Sequence, residues 1–304
     1  MFRIRFWTST MVLAALLLAP RLARADLNVV ATVPTLASIA KAIGGSKVSV
    51  ESMALHTQDP HFVDAKPSLA IKLNKADLLL AVGLDLEIGW LPVLQTGARN
   101  GDIQTGSKGY LDCSQFIKKM EVPTVVDRSQ GDIHPGGNPH YLYDPRAVSR
   151  VAKGIAKRMA KLDPDNRKFY FIKLKRFLQR VRSKTKALRA RLAPYRGQPI
   201  IGYHKSWAYL ADWLGLKQVE FIEPKPGIPP NPAHVAQVLV TARKRHVPVI
   251  IQEGFYPDST TKLIANKSGA RLVIVPGGVD FEAGETYLDH LDELATLLQR
   301  GLAR

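Results

Sequence analysis

Residues 163 to 192 read DPDNRKFYFIKLKRFLQRVRSKTKALRARL. Asp163-Pro164 is a helix start, with a carboxylate placed to cap free backbone N–H groups and a proline at the first helical position. Tyr170, Leu174, Phe177, Leu178, Val181, Thr185, Leu188 and Leu192 then recur at steps of three and four, which puts them on one helix face. The opposite face is strongly basic. Pro194 and Gly197 end the pattern. Uninterrupted from Pro164 to Leu192, such a helix is roughly 40 Å long at the standard rise. Its apolar stripe is too short for the sustained heptads of a free coiled coil. The stretch reads as a spine packed along two lobes.

Both flanks of this spine alternate strand-like and helical patterns. Before it, Leu27 to Ala31, Lys47 to Met53, Asp77 to Val82 and Val122 to Val126 read as strands, with helices opened by Pro67-Ser68 and by Asp144-Pro145. After it, strands fall at Pro199 to Gly202, Val219 to Ile222, Pro248 to Gln252 and Arg271 to Val275. Asn231-Pro232 and Pro257-Asp258 open helices between them, and a last helix runs from about Glu285 to Leu302. Alternation on this scale implies an α/β fold of two parallel-sheet lobes joined by one long helix. The expected division is an N-terminal lobe over 26–162, the linking helix over 163–194 and a C-terminal lobe over 195–304.

The first 25 residues read as an export signal. Arg3 and Arg5 precede the short apolar run Met11 to Ala19, and Ala23-Arg24-Ala25 supplies the small residues of a cleavage site before Asp26. The run is about half of the ~20 residues a spanning helix needs. No cysteine follows the cleavage site, so a mature chain free in the periplasm is expected. The lone Cys113 forms no internal disulfide and is expected to be a small packing residue. The formal charge is +17; setting aside Arg3, Arg5, Arg21 and Arg24 leaves +13. No nucleic-acid motif accompanies this charge, much of which falls between Lys168 and Arg191 on the solvated face of the spine. Surface chemistry is the expected role of the charge, and nucleic acid is not an expected partner.

Three histidines stand in separate local motifs. They are His61 in Gln58-Asp59-Pro60-His61, His140 in Gly137-Asn138-Pro139-His140-Tyr141 and His204 in Gly202-Tyr203-His204-Lys205. Neutral imidazole is the commonest zinc ligand, but gaps of tens of residues rule out a local zinc module. Each histidine follows an expected strand, His61 that ending at Met53, His140 that ending at Val126 and His204 that ending at Gly202. In open α/β sheets that end of the strand faces the ligand crevice. Asp280 follows the last strand of the second lobe and reaches toward the same crevice. Three imidazoles and a carboxylate make a four-coordinate set suited to zinc.

The chain resembles the zinc/manganese substrate-binding proteins of bacterial ABC transporters, the helical-spine class. The resemblance is carried by Gln58-Asp59-Pro60-His61 with Ala65-Lys66-Pro67-Ser68, and by Ala76-Asp77-Leu78 with Gly83 and Glu87-Ile88-Gly89-Trp90. His134-Pro135 with Gly137-Asn138-Pro139-His140, Tyr203-His204 and Glu223 to Pro230 continue it through the mature sequence. The resemblance implies a monomeric carrier, not an enzyme, that holds a divalent metal between its lobes and delivers it to a membrane ABC permease. Zinc is the expected cargo and manganese the alternative. The family's first three ligand positions match His61, His140 and His204; its fourth, a late carboxylate, is assigned to Asp280. Pro276-Gly277-Gly278-Val279-Asp280 departs from the commoner Asp-Ser form, and the long His- and acid-rich loop of many zinc-specific members is absent. Only Asp127 to Asn138 stands near its place.

Other residues compete for roles. His134 is a loop residue that could assist capture, His56 shapes the loop before His61, and Glu253 is an alternative fourth carboxylate. His234, His246 and His290 read as surface or packing residues. The rival function is an exported zinc-dependent hydrolase, with Glu253 or Glu223 as general base and an open metal position for water. It lacks a His-Glu-x-x-His helix.

Overall fold

The computed structural model describes residues 27–124 and 134–303. The export segment read at residues 1–25 lies outside these, as do Val125 and Val126. In the N-terminal half, β1 (Leu27–Ala31), β2 (Val48–Ser52), β3 (Leu78–Ala81) and β4 (Tyr110–Asp112) form a sheet in the order β2-β1-β3-β4. In the C-terminal half, β5 (Pro199–Gly202), β6 (Lys217–Phe221), β7 (Val249–Glu253) and β8 (Arg271–Val275) repeat that order as β6-β5-β7-β8. Every pairing is parallel. Parallel strands need crossovers, which α1 (Pro34–Gly44), α2 (Pro67–Asn74) and α3 (Leu91–Ala98) supply in the first half, where α4 (Pro145–Leu162) follows the last strand. The second half uses α6 (Ala208–Leu214), α7 (Pro232–Lys244), α8 (Ser259–Ser268) and α9 (Tyr287–Leu302).

Between the sheets runs α5, Arg167–Leu192, after a single 3-10 turn at Pro164–Asn166. Tyr170, Leu174, Phe177, Val181, Leu188 and Leu192 are its buried face, and Leu178 and Thr185 sit at the margin. Asp163 starts the spine differently from expectation. Its carboxylate accepts from the Tyr170 hydroxyl at 2.5 Å and the Asn166 amide at 2.8 Å instead of capping backbone N–H groups. The buried face packs on α1 and α4 of the first lobe and on α9 of the second. One apolar core therefore runs from Val29 and Leu36 through Phe177 to Val249 and Leu294. Burying each large side chain contributes about 1.5–3 kcal/mol. Part of the basic face is spent on the same packing, since Lys184 and Arg191 both reach Asp292 of α9.

One expected strand is corrected. Residues 121–124 form no strand, and the fourth strand of the first sheet is the three-residue Tyr110–Asp112. Met120 instead donates its N–H to the Tyr209 hydroxyl on α6 and accepts from the Asn138 N–H, so this backbone is tied to a helix of the second lobe and a loop of the first. His140 thus follows a loop and precedes α4. Cys113 is fully buried, its thiol directed at the Leu111 carbonyl, and burial pushes that thiol well up. Among the described residues, no helix is long and apolar enough to cross a membrane.

Candidate metal centre

Each sheet changes direction beside its first strand, because β2 and β3 lie on opposite sides of β1, and β6 and β7 on opposite sides of β5. Crevices open at the carboxyl ends of strands flanking such a point. His204 lies two residues beyond β5, at this position in the second lobe. It is buried, and its Nδ1 lies 2.7 Å from the Glu223 carboxylate, which stands just past β6. That contact places the ring proton on Nδ1 and leaves Nε2 free as a ligand.

The first lobe repeats the device. Asp59 accepts from the His61 backbone N–H at 3.0 Å and contacts His61 Nδ1 at 2.7 Å, fixing loop and ring together. Burial raises the Asp59 carboxyl, but its bonds to His61 and the charges of His61 and His204 together outweigh this and hold it below its usual value. Trp90 steadies the loop from outside, its indole N–H donating to the Pro60 carbonyl at 2.9 Å. Trp90 is itself presented by a turn that needs three successive positive φ angles, at Gly83, Leu84 and Asp85. The buried Glu87 compensates by accepting from the backbone N–H groups of Val82 and Gly83 and from the Thr32 hydroxyl.

His140 is held by Asn138, whose side-chain oxygen accepts the His140 N–H at 2.9 Å. The same amide donates to Glu121 and to the Lys205 carbonyl across the cleft. His140 Nε2 is shut off from solvent and has no hydrogen-bond partner among the described residues. Burial, then the His204, His61 and His134 rings, push this imidazole well below its usual pKa, so it is neutral and able to ligate.

The three rings form a nearly equilateral triangle. Centroid separations are 5.2 Å for His61–His140, 5.1 Å for His61–His204 and 5.2 Å for His140–His204. One donor nitrogen from each lies within 4.8 Å of the other two. Donors sharing a tetrahedral zinc at ~2.0–2.1 Å stand about 3.4 Å apart, so a small contraction closes the triangle on an ion. A neutral imidazole with no partner and two imidazoles backed by carboxylates make a donor set suited to holding a metal ion, and they span both lobes.

Two expected neighbours stand elsewhere or closer than the sequence suggested. Asp280 is outside the triangle: its carboxylate accepts from the Ala283 N–H at 3.1 Å and lies 3.5 Å from His56 Nδ1. Its loop is set by Gly277, where a Cβ would collide with the Phe255 ring and come 2.9 Å from the His56 carbonyl. His134, by contrast, puts its Nε2 3.3 Å from His61 Nε2, and burial with the His61 and His204 rings holds it down to about 4. The motif around His140 was the only hint of it. Glu253 ends β7, lines the same cavity as His61 and His140, and is pushed up to about 8 by burial. Neither carboxylate offered as a general base is suited to that work. Glu223 is engaged by His204, and Glu253 is largely protonated at neutral pH. His234 bonds the Phe221 carbonyl, away from the triangle.

The chain is 24% identical over 287 residues to the manganese ABC transporter substrate-binding lipoprotein scaA of Streptococcus gordonii, covering 91% of this chain and 89% of that protein. It is 23% identical over 253 residues to the high-affinity zinc uptake system protein ZnuA of Bacillus subtilis strain 168, covering 82% and 77%. A crystal structure of ZnuA superposes with a TM-score of 0.77 at 25% identity, over 91% of this chain and all of that one. A manganese-bound periplasmic metal binding protein from Candidatus Liberibacter asiaticus shares the fold with a TM-score of 0.76 at 22% identity, over 91% and 100%. The family model of zinc-uptake complex component A, periplasmic, matches residues 29–301, and the chain belongs to that family.

Proposed function

We propose that this chain captures a divalent transition metal outside the cytoplasm and hands it to an ABC-type membrane permease. The family is a transport component, not an enzyme. The observation that carries the reading is the triangle of His61, His140 and His204, with the neutral His140 Nε2 unbonded inside it. Zinc is the cargo this set favours, since three imidazoles suit a borderline ion; manganese is the alternative. Asp280 is the fourth ligand in this reading. It joins when the Pro276 to Asp280 loop releases the Ala283 N–H and His56, so that the metal gains a negative donor. We further propose that the chain is exported to the periplasm, is cleaved between Ala25 and Asp26, and acts as a monomer.

The test is calorimetric titration of metal-free protein with zinc and, separately, manganese. One tight event is expected, lost on His140→Ala and unchanged by His246→Ala. Equal loss in both variants, or no tight event in the wild type, overturns the reading. A structure of the loaded chain decides the fourth ligand: Glu253 or water in place of Asp280 removes that assignment.

A further inference from the structure

A second group of metal-ligating side chains converges at the start of α9. Glu285, His290 and Glu293 each offer one donor atom, and these lie within 4.8 Å of one another. His290 and Glu293 are three residues apart on α9 and share a helix face. Glu285 comes from the turn just before the Thr286 cap. His290 is only 3% exposed, and its Nδ1 is shut off from solvent with no hydrogen-bond partner among the described residues. The nearest carboxylate oxygen, Glu285 Oε1, stays 3.9 Å from that nitrogen. This is too long for a hydrogen bond. It is within the range of about 3–4 Å that separates two donors on one metal ion. Glu285 is already oriented for this, because its other oxygen accepts the Asp280 N–H at 2.6 Å.

We propose that Glu285, His290 and Glu293 form a second divalent-cation site on the C-terminal lobe, distinct from the three-histidine centre. One imidazole and two carboxylates suit zinc, manganese or iron(II) rather than magnesium or calcium. Glu293 is exposed, so water completes the coordination, and the ion is held more weakly and exchanges faster than at the triangle. His290 also lines the cavity that reaches His61 and His140. An ion drawn to Glu285 Oε1 leaves Oε2 on the Asp280 backbone. Its occupancy therefore stiffens the loop that carries Asp280.

The test is zinc titration of the full chain and three variants, with bound zinc counted after equilibrium dialysis. Wild type is expected to take two zinc ions, the second at least tenfold weaker. The exposed substitution Glu293→Gln, which leaves the core intact, is expected to weaken the second event about tenfold or more and leave the first unchanged. Glu285→Gln does the same. His204→Ala removes the first event and keeps the second, so failure at either centre is read separately. A single zinc at saturation in wild type overturns the proposal. So does a second event that is indifferent to Glu293→Gln and Glu285→Gln.

Discussion

Asp59 and Glu223 perform the same task from opposite lobes, each holding a histidine by Nδ1 at 2.7 Å. Such partners fix the ring tautomer and raise ligand basicity, and their loss typically costs ten- to a hundredfold in metal affinity. Asp59→Asn and Glu223→Gln are each expected to weaken zinc binding by about that factor while keeping one ion at the triangle, as read by competition with a chelating dye. An unchanged affinity in both variants removes the orienting role. Glu253 makes a different prediction. Burial raises its pKa to about 8, so between pH ~4.5 and ~8 the folded chain holds a proton that the unfolded chain has released. Its contribution to stability is fully present below pH ~4.5 and is lost as pH rises through ~8, on the order of 5 kcal/mol in all. Glu253→Gln is expected to raise the melting temperature of metal-free protein at pH 8 and to change it little at pH 5. Equal shifts at both pH values count against a buried, protonated carboxyl.

At the scale of elements, the helix starts were legible because proline and a preceding polar or acidic residue act locally. Pro67, Pro145 and Pro232 each open a helix, and Asp144 and Asn231 cap theirs. The β-branched residues of β1, β5, β7 and β8 were legible for the same reason. Val122 to Thr124, the described part of the expected strand, misled because the stretch has a strand's composition, whereas its neighbour Met120 bonds Tyr209 and Asn138, which are remote in sequence. Tyr110–Asp112 is too short to show a period. His61 and His140 stood out because Asp59 and Asn138 lie two residues before them and bond them locally, and His204 because it directly follows a strand. The positions of His134 and Asp280 were hidden because they depend on contacts between loops, such as Gly277 against Phe255 and His56. Gly277→Ala is expected to cost about 1–3 kcal/mol by overpacking and to displace the Asp280 loop. A crystal structure of that variant with the loop unmoved rejects this account.

Across the whole molecule, the lobes are tied together on the side of His140. The Tyr209 hydroxyl bridges Met120 and Asn138, the Trp213 indole donates to the Tyr143 carbonyl, and Arg146 pairs with Asp212. On the other side the Tyr287 N–H donates to Ser38. With α5 packed under both sheets, binding adds to folding stability by mass action. Zinc at the triangle, at a thousandfold excess over its Kd, is expected to contribute about 4 kcal/mol, a rise on the order of 8 °C in melting temperature, and His204→Ala is expected to remove that share of the zinc-induced rise. Those ties have a kinetic consequence. A carrier that opened like a book would have to break these contacts at once, so the ion is expected to leave by way of a lip of loops. Dyes placed one on each lobe should then report a constant distance through loading and unloading, while a dye beside Asp280 changes its signal. The resting leak rate belongs to a few loop side chains, and a receptor that presses on that lip can discharge the cargo without prising the body apart.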